Sequence, residues 1–259
     1  MQDYRDRNRL WQPSHLQYKI DNAHVVLGGM GGIGWSIGSA LIGLGVRNFS
    51  VFDPDVLETV NINRLWGCHR HQLGQPKVEI FAALAHEVDP AINIARFRQT
   101  IPSDEFVQAI AKADVVFGGY DLPEPRLATQ VLALKHNTVY IDTGTAIQPH
   151  REGSFSGFGQ VFLSSSPADV CIVCAGLRMD DMGYRGEGGG PLPSSGVING
   201  VLANLAVSTW MKSLMGEPTE SLIRFDWNSA TLSTVPALHK RNECPICGAD
   251  PAWKRSWEG

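Results

Sequence analysis

Short apolar runs alternate with helical stretches along residues 24–142. Residues 24–27 form a brief apolar run, which reads as a buried strand, and the turn Gly28-Gly29-Met30-Gly31-Gly32-Ile33-Gly34 follows it. A helix is expected over 35–44, ended by Gly45. Residues 46–52 are apolar and rich in β-formers, and they end in Asp53-Pro54-Asp55. Residues 77–87 carry Val78, Phe81, Ala82, Leu84 and Ala85 at helical spacing, before Asp89-Pro90 stops the helix. Further strands are expected at 92–97, 114–117 and 138–142, with helices at 104–112 and 125–136. This alternation predicts a parallel sheet with helices on both faces.

The pattern changes after residue 150. Residues 154–165 carry glycines and aromatic residues and read as antiparallel strand. Residues 179–196 are rich in Gly, Pro and Ser and read as a mobile loop. A long apolar helix is expected over 197–214, then two strands within 222–235. Residues 1–20 read as a short helical or irregular arm.

Composition adds mainly exclusions. Formal net charge is −4 and the basic residues are scattered, so nothing points to nucleic acid. No apolar run approaches the ~20 residues of a membrane span. The opening MQDYRDRNRLWQP lacks the apolar core of a secretion signal. A cytoplasmic protein without a membrane or nucleic-acid partner is expected.

Gly29-x-Gly31-Gly32-x-Gly34 lies between an expected strand and an expected helix. Glycine permits a tight turn there, and backbone N–H groups at a helix N-terminus can approach phosphate oxygens. Asp53, at the end of the next strand, is the expected acceptor for a ribose hydroxyl pair. These features fit any adenine nucleotide, and an NAD-dependent oxidoreductase would use the same physics. The residues that follow favour a triphosphate. Asn61-Ile62-Asn63-Arg64 and Gly74-Gln75-Pro76-Lys77 supply amides and cations. The planar Arg64 fork can clamp phosphate oxygens, and Lys77 adds a compact charge. Asp121 follows the strand at 114–117, at the carboxyl end where open parallel sheets bind ligands. A carboxylate beside a triphosphate calls for a cation, and Mg²⁺ shared with phosphates is the usual one.

With these motifs in this order, the stretch from Val25 to about Phe162 resembles the adenylylation domain of the ThiF/MoeB/HesA family of ubiquitin-activating-like enzymes. The matching positions are Gly29 to Gly34, Asp53 with Asp55, Asn61 with Asn63 and Arg64, Gly74 with Lys77, and Asp121 with Arg126. The resemblance implies that ATP is bound and that a substrate carboxylate attacks its α-phosphate. It implies that Asp121 organises Mg²⁺ while Arg64 and Lys77 neutralise the phosphates. It further implies a homodimer in which Arg7 or Arg9 reaches across to the partner's γ-phosphate. The implied substrate is the C-terminal glycine of a small ubiquitin-like or sulfur-carrier protein, with a peptide or small carboxylic acid as the alternative. A non-catalytic scaffold is a third reading, which the presence of both Arg64 and Asp121 opposes. The chain departs from the family at Leu65, where many members have Gln, and at Leu122, where many have Asn.

The chain has five cysteines. Cys171-x-x-Cys174 and Cys244-x-x-Cys247 together supply the four thiolates of a closed, structural zinc site, an arrangement that MoeB-like members share. Two unrelated buried pairs or redox motifs are the alternative. Cys68 stands alone near Arg64 and reads as an incidental thiol. Residues 175–203 contain no cysteine, so no enzyme thioester is expected. The expected fold is α/β, with a Rossmann-like, mostly parallel sheet, helices on both faces, an antiparallel C-terminal portion and a structural zinc site. It divides into an arm (1–20), an ATP-binding adenylylation core (21–165) and a zinc-binding and substrate-loop portion packed on the same domain (166–259).

Overall fold

The computed structural model describes residues 3–176, 192–235, 238–249 and 251. One sheet runs through it. The parallel strands are β1 (His24–Gly28), β2 (Asn48–Phe52), β3 (Asn93–Phe97), β4 (Val115–Gly118) and β5 (Val139–Pro149). The antiparallel strands are β6 (Phe155–Ser164), β7 (Leu222–Asp226) and β8 (Thr231–Thr234). The strand order is β3-β2-β1-β4-β5-β6-β7-β8. The chain builds outward from β1 to β3, then returns to lay β4 on the other side of β1. That reversal opens a crevice at the carboxyl ends of β1 and β4, where open α/β sheets hold ligands.

The helices are α1 (Asp6–Arg9), α2 (Ser14–Asn22), α3 (Gly32–Leu44), α4 (Lys77–Val88), α5 (Asp104–Ile110), α6 (Pro123–His136) and α7 (Gly196–Leu214). Successive strand residues point to opposite faces, so buried strands feed two cores. Val25, Leu27, Phe49 and Phe117 pack with Phe81 of α4 and Trp210 of α7. Val26, Phe52, Val116 and Tyr140 pack with Phe106 of α5 and Leu132 of α6. Among the described residues no helix is long and apolar enough to cross a membrane.

Several boundaries differ from the sequence reading, and three of them are informative. Helix α3 begins at Gly32, so the glycine run itself forms the first turn. Helix α6 begins at Pro123, a residue whose fixed φ suits the first helical position. Strand β5 runs on to Pro149 because it forms a hairpin with β6, with Asp142 opposite Phe162 and Pro149 opposite Phe155. Most of the loop expected over 179–196 lies outside the described residues.

Candidate functional site

The turn from β1 into α3 is the centre of the site. Gly29 has φ +85°, a left-handed conformation that favours glycine. A side chain at Gly31 would meet nothing within 4 Å, so the loop is open on that side. Gly34 differs: a Cβ there would overlap the Gly29 carbonyl oxygen, so only glycine lets turn and helix touch. No side chain caps the first turn of α3. Its N–H groups and the helix dipole therefore favour an anion here.

Asp53 lies just past β2 and is 5% exposed. Its carboxylate accepts from the Met30 N–H at 2.6 Å and the Asp55 N–H at 2.8 Å, tying the glycine loop to the next turn. Burial pushes its pKa up, against the pull of Lys77. Lys77 opens α4 and is itself buried. Its Nζ lies 2.7 Å from Asp55 and 3.7 Å from Asp53, so the cation arrives already paired. A phosphate would compete for this ammonium with Asp55, whose side chain is 64% exposed.

Asn61 is buried, and its Oδ1 accepts from the Glu58 N–H at 3.0 Å, which shapes the turn. Asn63 donates to the Ser194 carbonyl at 3.3 Å. Arg64 lays its aliphatic stem on Gly32, with Cδ 3.0 Å from where a Cβ would stand. Its Nη1 donates to the Val60 carbonyl at 2.7 Å and to Asn63 Oδ1 at 3.0 Å. Its Nε and Nη2 have no partner among the described residues, so part of the fork is free for a ligand.

Asp121 is exposed just beyond β4 and has no side-chain partner among the described residues. Two residues earlier, Gly119 packs on the glycine loop: a Cβ there would lie 2.9 Å from the Gly34 nitrogen. The turn carrying Asp121 therefore borders the uncapped helix start, and one free carboxylate beside it suits an Mg²⁺ shared with phosphates. Arg126 does not face this opening. It is buried, with Nη1 2.6 Å from Asp142.

The sequence reading did not single out Asn199. It is buried on α7, accepts from the Thr145 hydroxyl at 2.9 Å and donates to Ser194 Oγ at 3.2 Å. A Cβ on Gly32 would overlap its amide nitrogen. One residue thus joins the glycine loop, β5 and the segment entering α7. Its only signal in the sequence was an amide in an apolar helix, and α7 carries two, Asn199 and Asn204.

In the arm, Arg9 pairs with Asp3 at 2.8 Å and Asp6 at 2.7 Å. Arg7 is exposed, with no partner among the described residues. Arg5, also not singled out from the sequence, is buried and bound to Asp3 at 2.7 Å and Asp21 at 3.2 Å, which pins the arm to α2.

The two cysteine pairs meet. Cys171 Sγ lies 3.5 Å from Cys244 Sγ, and Cys174 Sγ lies 3.6 Å from Cys247 Sγ. All four sulfurs fall within 4.8 Å of one another. A tetrahedral zinc with Zn–S bonds of roughly 2.3 Å sets its sulfurs about 3.8 Å apart, so the cluster fits that ion. The Arg241 N–H donates to Cys174 Sγ at 3.4 Å, the kind of outer contact that orients a thiolate. Gly248 is forced by crowding, since a Cβ there would stand 2.5 Å from the Cys244 carbonyl oxygen. Cys68 is different. It is buried in the core, and burial pushes its thiol up to about 11. Such a thiol is a poor nucleophile. Replacing it with alanine should leave catalysis nearly intact, and a thiol-labile substrate adduct on a non-reducing gel would contradict this.

The chain is similar to known proteins over most of its length. A family model described as the ThiF family matches residues 5–246. The sulfur carrier protein ThiS adenylyltransferase of Escherichia coli is 26% identical over 242 residues, covering 91% of each chain. The adenylyltransferase and sulfurtransferase MOCS3 of Aedes aegypti is 24% identical over 241 residues, which is 91% of this chain and 52% of that protein. The chain thus spans about half the length of its MOCS3 relatives. A crystal structure of E. coli MccB with ATP superposes with a TM-score of 0.76 at 19% identity, covering 96% of this chain and 75% of the other.

Proposed function

This chain belongs to the ThiF family, and from that premise we propose that it activates a carboxylate by ATP-dependent adenylylation. The carrying observation is that a cation and an acid flank one uncapped helix start. Arg64 packs on Gly32, and the turn leading to Asp121 packs on Gly34. That pairing suits a triphosphate with its metal. In the proposed step a carboxylate oxygen bonds to the α-phosphorus, the bond to the bridging oxygen breaks, and pyrophosphate leaves with that electron pair. The first-turn N–H groups of α3, Arg64 and Lys77 lower the repulsion between carboxylate and phosphates. Asp53 faces the ribose. Asp121 holds Mg²⁺, which supplies further neutralisation of the phosphate charge. Alignment of the carboxylate opposite pyrophosphate can contribute roughly 7–11 kcal/mol.

The substrate we favour is the C-terminal glycine of a small ubiquitin-like or sulfur-carrier protein, by similarity to the ThiS adenylyltransferase. A peptide carboxylate is the second reading, favoured by the likeness to MccB, which has been crystallised with N-formylated MccA. No enzyme thioester forms in this reading, because four thiols belong to the zinc cluster and the fifth is buried. A set of reduced thiols suits the cytoplasm.

We also propose that two copies share their active sites. Leu10 and Trp11 are exposed on the arm, beside a groove between the arm, α3 and α7. Arg7 is the arm arginine free to reach a partner. Sedimentation should show a dimer. Mixing Arg7→Ala with Asp121→Ala chains should restore activity that neither variant has alone. A fully active monomer, or mixtures that stay inactive after subunit exchange, would contradict sharing.

A further inference from the structure

The turn that carries Asp121 lacks the usual means of holding its shape. It enters α6 at the N-cap position, where Leu122 is 50% exposed and makes no side-chain cap hydrogen bond. Ser, Thr, Asp or Asn normally ties such a turn to the helix. Pro125, at the third helical position, has no N–H for such a cap to accept, which leaves the Glu124 N–H as the donor a cap would use.

Other groups hold the turn from below. Arg126 Nη2 donates to the Tyr120 carbonyl at 2.5 Å, while its Nη1 donates to Asp142 at 2.6 Å. The other Asp142 oxygen accepts from the Tyr140 hydroxyl at 2.7 Å. Arg126 is 6% exposed and Asp142 is fully buried. Strand β5 leaves no slack: a Cβ on Gly144 would stand 3.1 Å from both terminal guanidinium nitrogens. The Tyr120 side chain is held as well. Its hydroxyl meets Thr129 Oγ1 at 2.8 Å, and its ring fills the space that side chains on Gly28 and Gly118 would need.

We propose that the buried Asp142–Arg126 pair is a positioning device that holds Asp121 at the metal–nucleotide site, in place of the missing helix cap. This rests on the reading of Asp121 as the magnesium residue. Stability alone does not explain the pair, because apolar residues of similar volume often replace a buried ion pair without loss. Apolar residues cannot grip a carbonyl. Asp142 has a second effect: it cancels the Arg126 charge behind Asp121, which would otherwise repel a cation there.

The test is calorimetric titration of the full chain with ATP across a series of Mg²⁺ concentrations, including none. The variants are Asp121→Asn, the double variant Arg126→Leu with Asp142→Leu, that double variant with Leu122→Asn added, and Tyr140→Phe. Replacing both charges avoids leaving one buried alone. The double variant should bind ATP without metal much as the wild type does. The Mg²⁺ concentration that gives half the metal-dependent gain should rise about 10–100-fold, the usual cost of losing an outer-shell partner. Adding Leu122→Asn should recover most of the loss by restoring a cap. Tyr140→Phe, which keeps both charges, should shift the metal dependence in the same direction and keeps the test valid if the double variant does not fold. Wild-type metal dependence in both the double variant and Tyr140→Phe, with Asp121→Asn impaired, overturns the positioning role alone. Wild-type dependence in Asp121→Asn overturns the magnesium assignment beneath it.

Discussion

Asp121→Ala should abolish substrate-dependent pyrophosphate release while the far-ultraviolet circular dichroism stays that of the wild type. Asp121 is exposed and unpaired among the described residues, so its removal leaves no buried group stranded. Under the proposed role its loss removes a magnesium ligand, with little effect on the fold. Arg64→Ala and Lys77→Ala should each lower turnover by on the order of 10²–10³, the cost of removing one donor to developing charge. The two differ in their side effects. Arg64 has part of its fork free, so its replacement should act mainly on catalysis. Lys77 is paired with Asp53 and Asp55, so its replacement leaves the buried Asp53 carboxylate with backbone donors only and should also lower stability. Pyrophosphate release at the wild-type rate by Asp121→Ala would contradict the assignment.

The second large effect concerns the cysteines. Protein purified without chelator should carry one zinc per chain, and Cys244→Ser should lose it. The cluster joins residues 171–174 to 244–247, so loss of a zinc held there would loosen the C-terminal tail from the middle of the chain. Val170 and Ile172 anchor the first pair in the core beneath α6, so the loosening should reach that core. Each kcal/mol lost would lower Tm by about 2–4 °C in a protein of this size, which differential scanning calorimetry resolves. Metal-free protein with an unchanged Tm would show that the four thiols pack without an ion.

The parallel half of the sheet was legible because its apolar runs are bounded by breakers. Gly28 and the glycines after it close β1, Asp53-Pro54 closes β2, and Asp89-Pro90 closes α4. The antiparallel strands were legible almost to their ends, but the extension of β5 past residue 142 was not. Residues 143–149 carry Gly144 and Gln148 and do not look apolar. They are strand because β6 supplies a partner along their whole length, and local propensity does not report pairing. At the site, the glycine spacing marked the loop because its φ values and close approaches are local. The pairing of Lys77 with Asp55 was not visible, since 22 residues separate them. The family resemblance grouped Arg126 with Asp121; that its guanidinium reaches Asp142 on β5 and the Tyr120 carbonyl was not visible in the sequence. Asn199 reaches Gly32 from the far end of the chain, a contact that only the tertiary fold creates.

The most direct test of the account is exchange of labelled pyrophosphate into ATP by the purified wild-type chain. Candidate substrates would be sulfur-carrier proteins, peptides and small acids, each peptide also supplied with its C-terminus as the amide. The account predicts Mg²⁺-dependent exchange with at least one free carboxylate and with none of the amides, because only a carboxylate oxygen can attack the α-phosphorus and reverse. Absence of exchange across the panel, together with tight NAD binding and no binding of ATP with Mg²⁺, would contradict it.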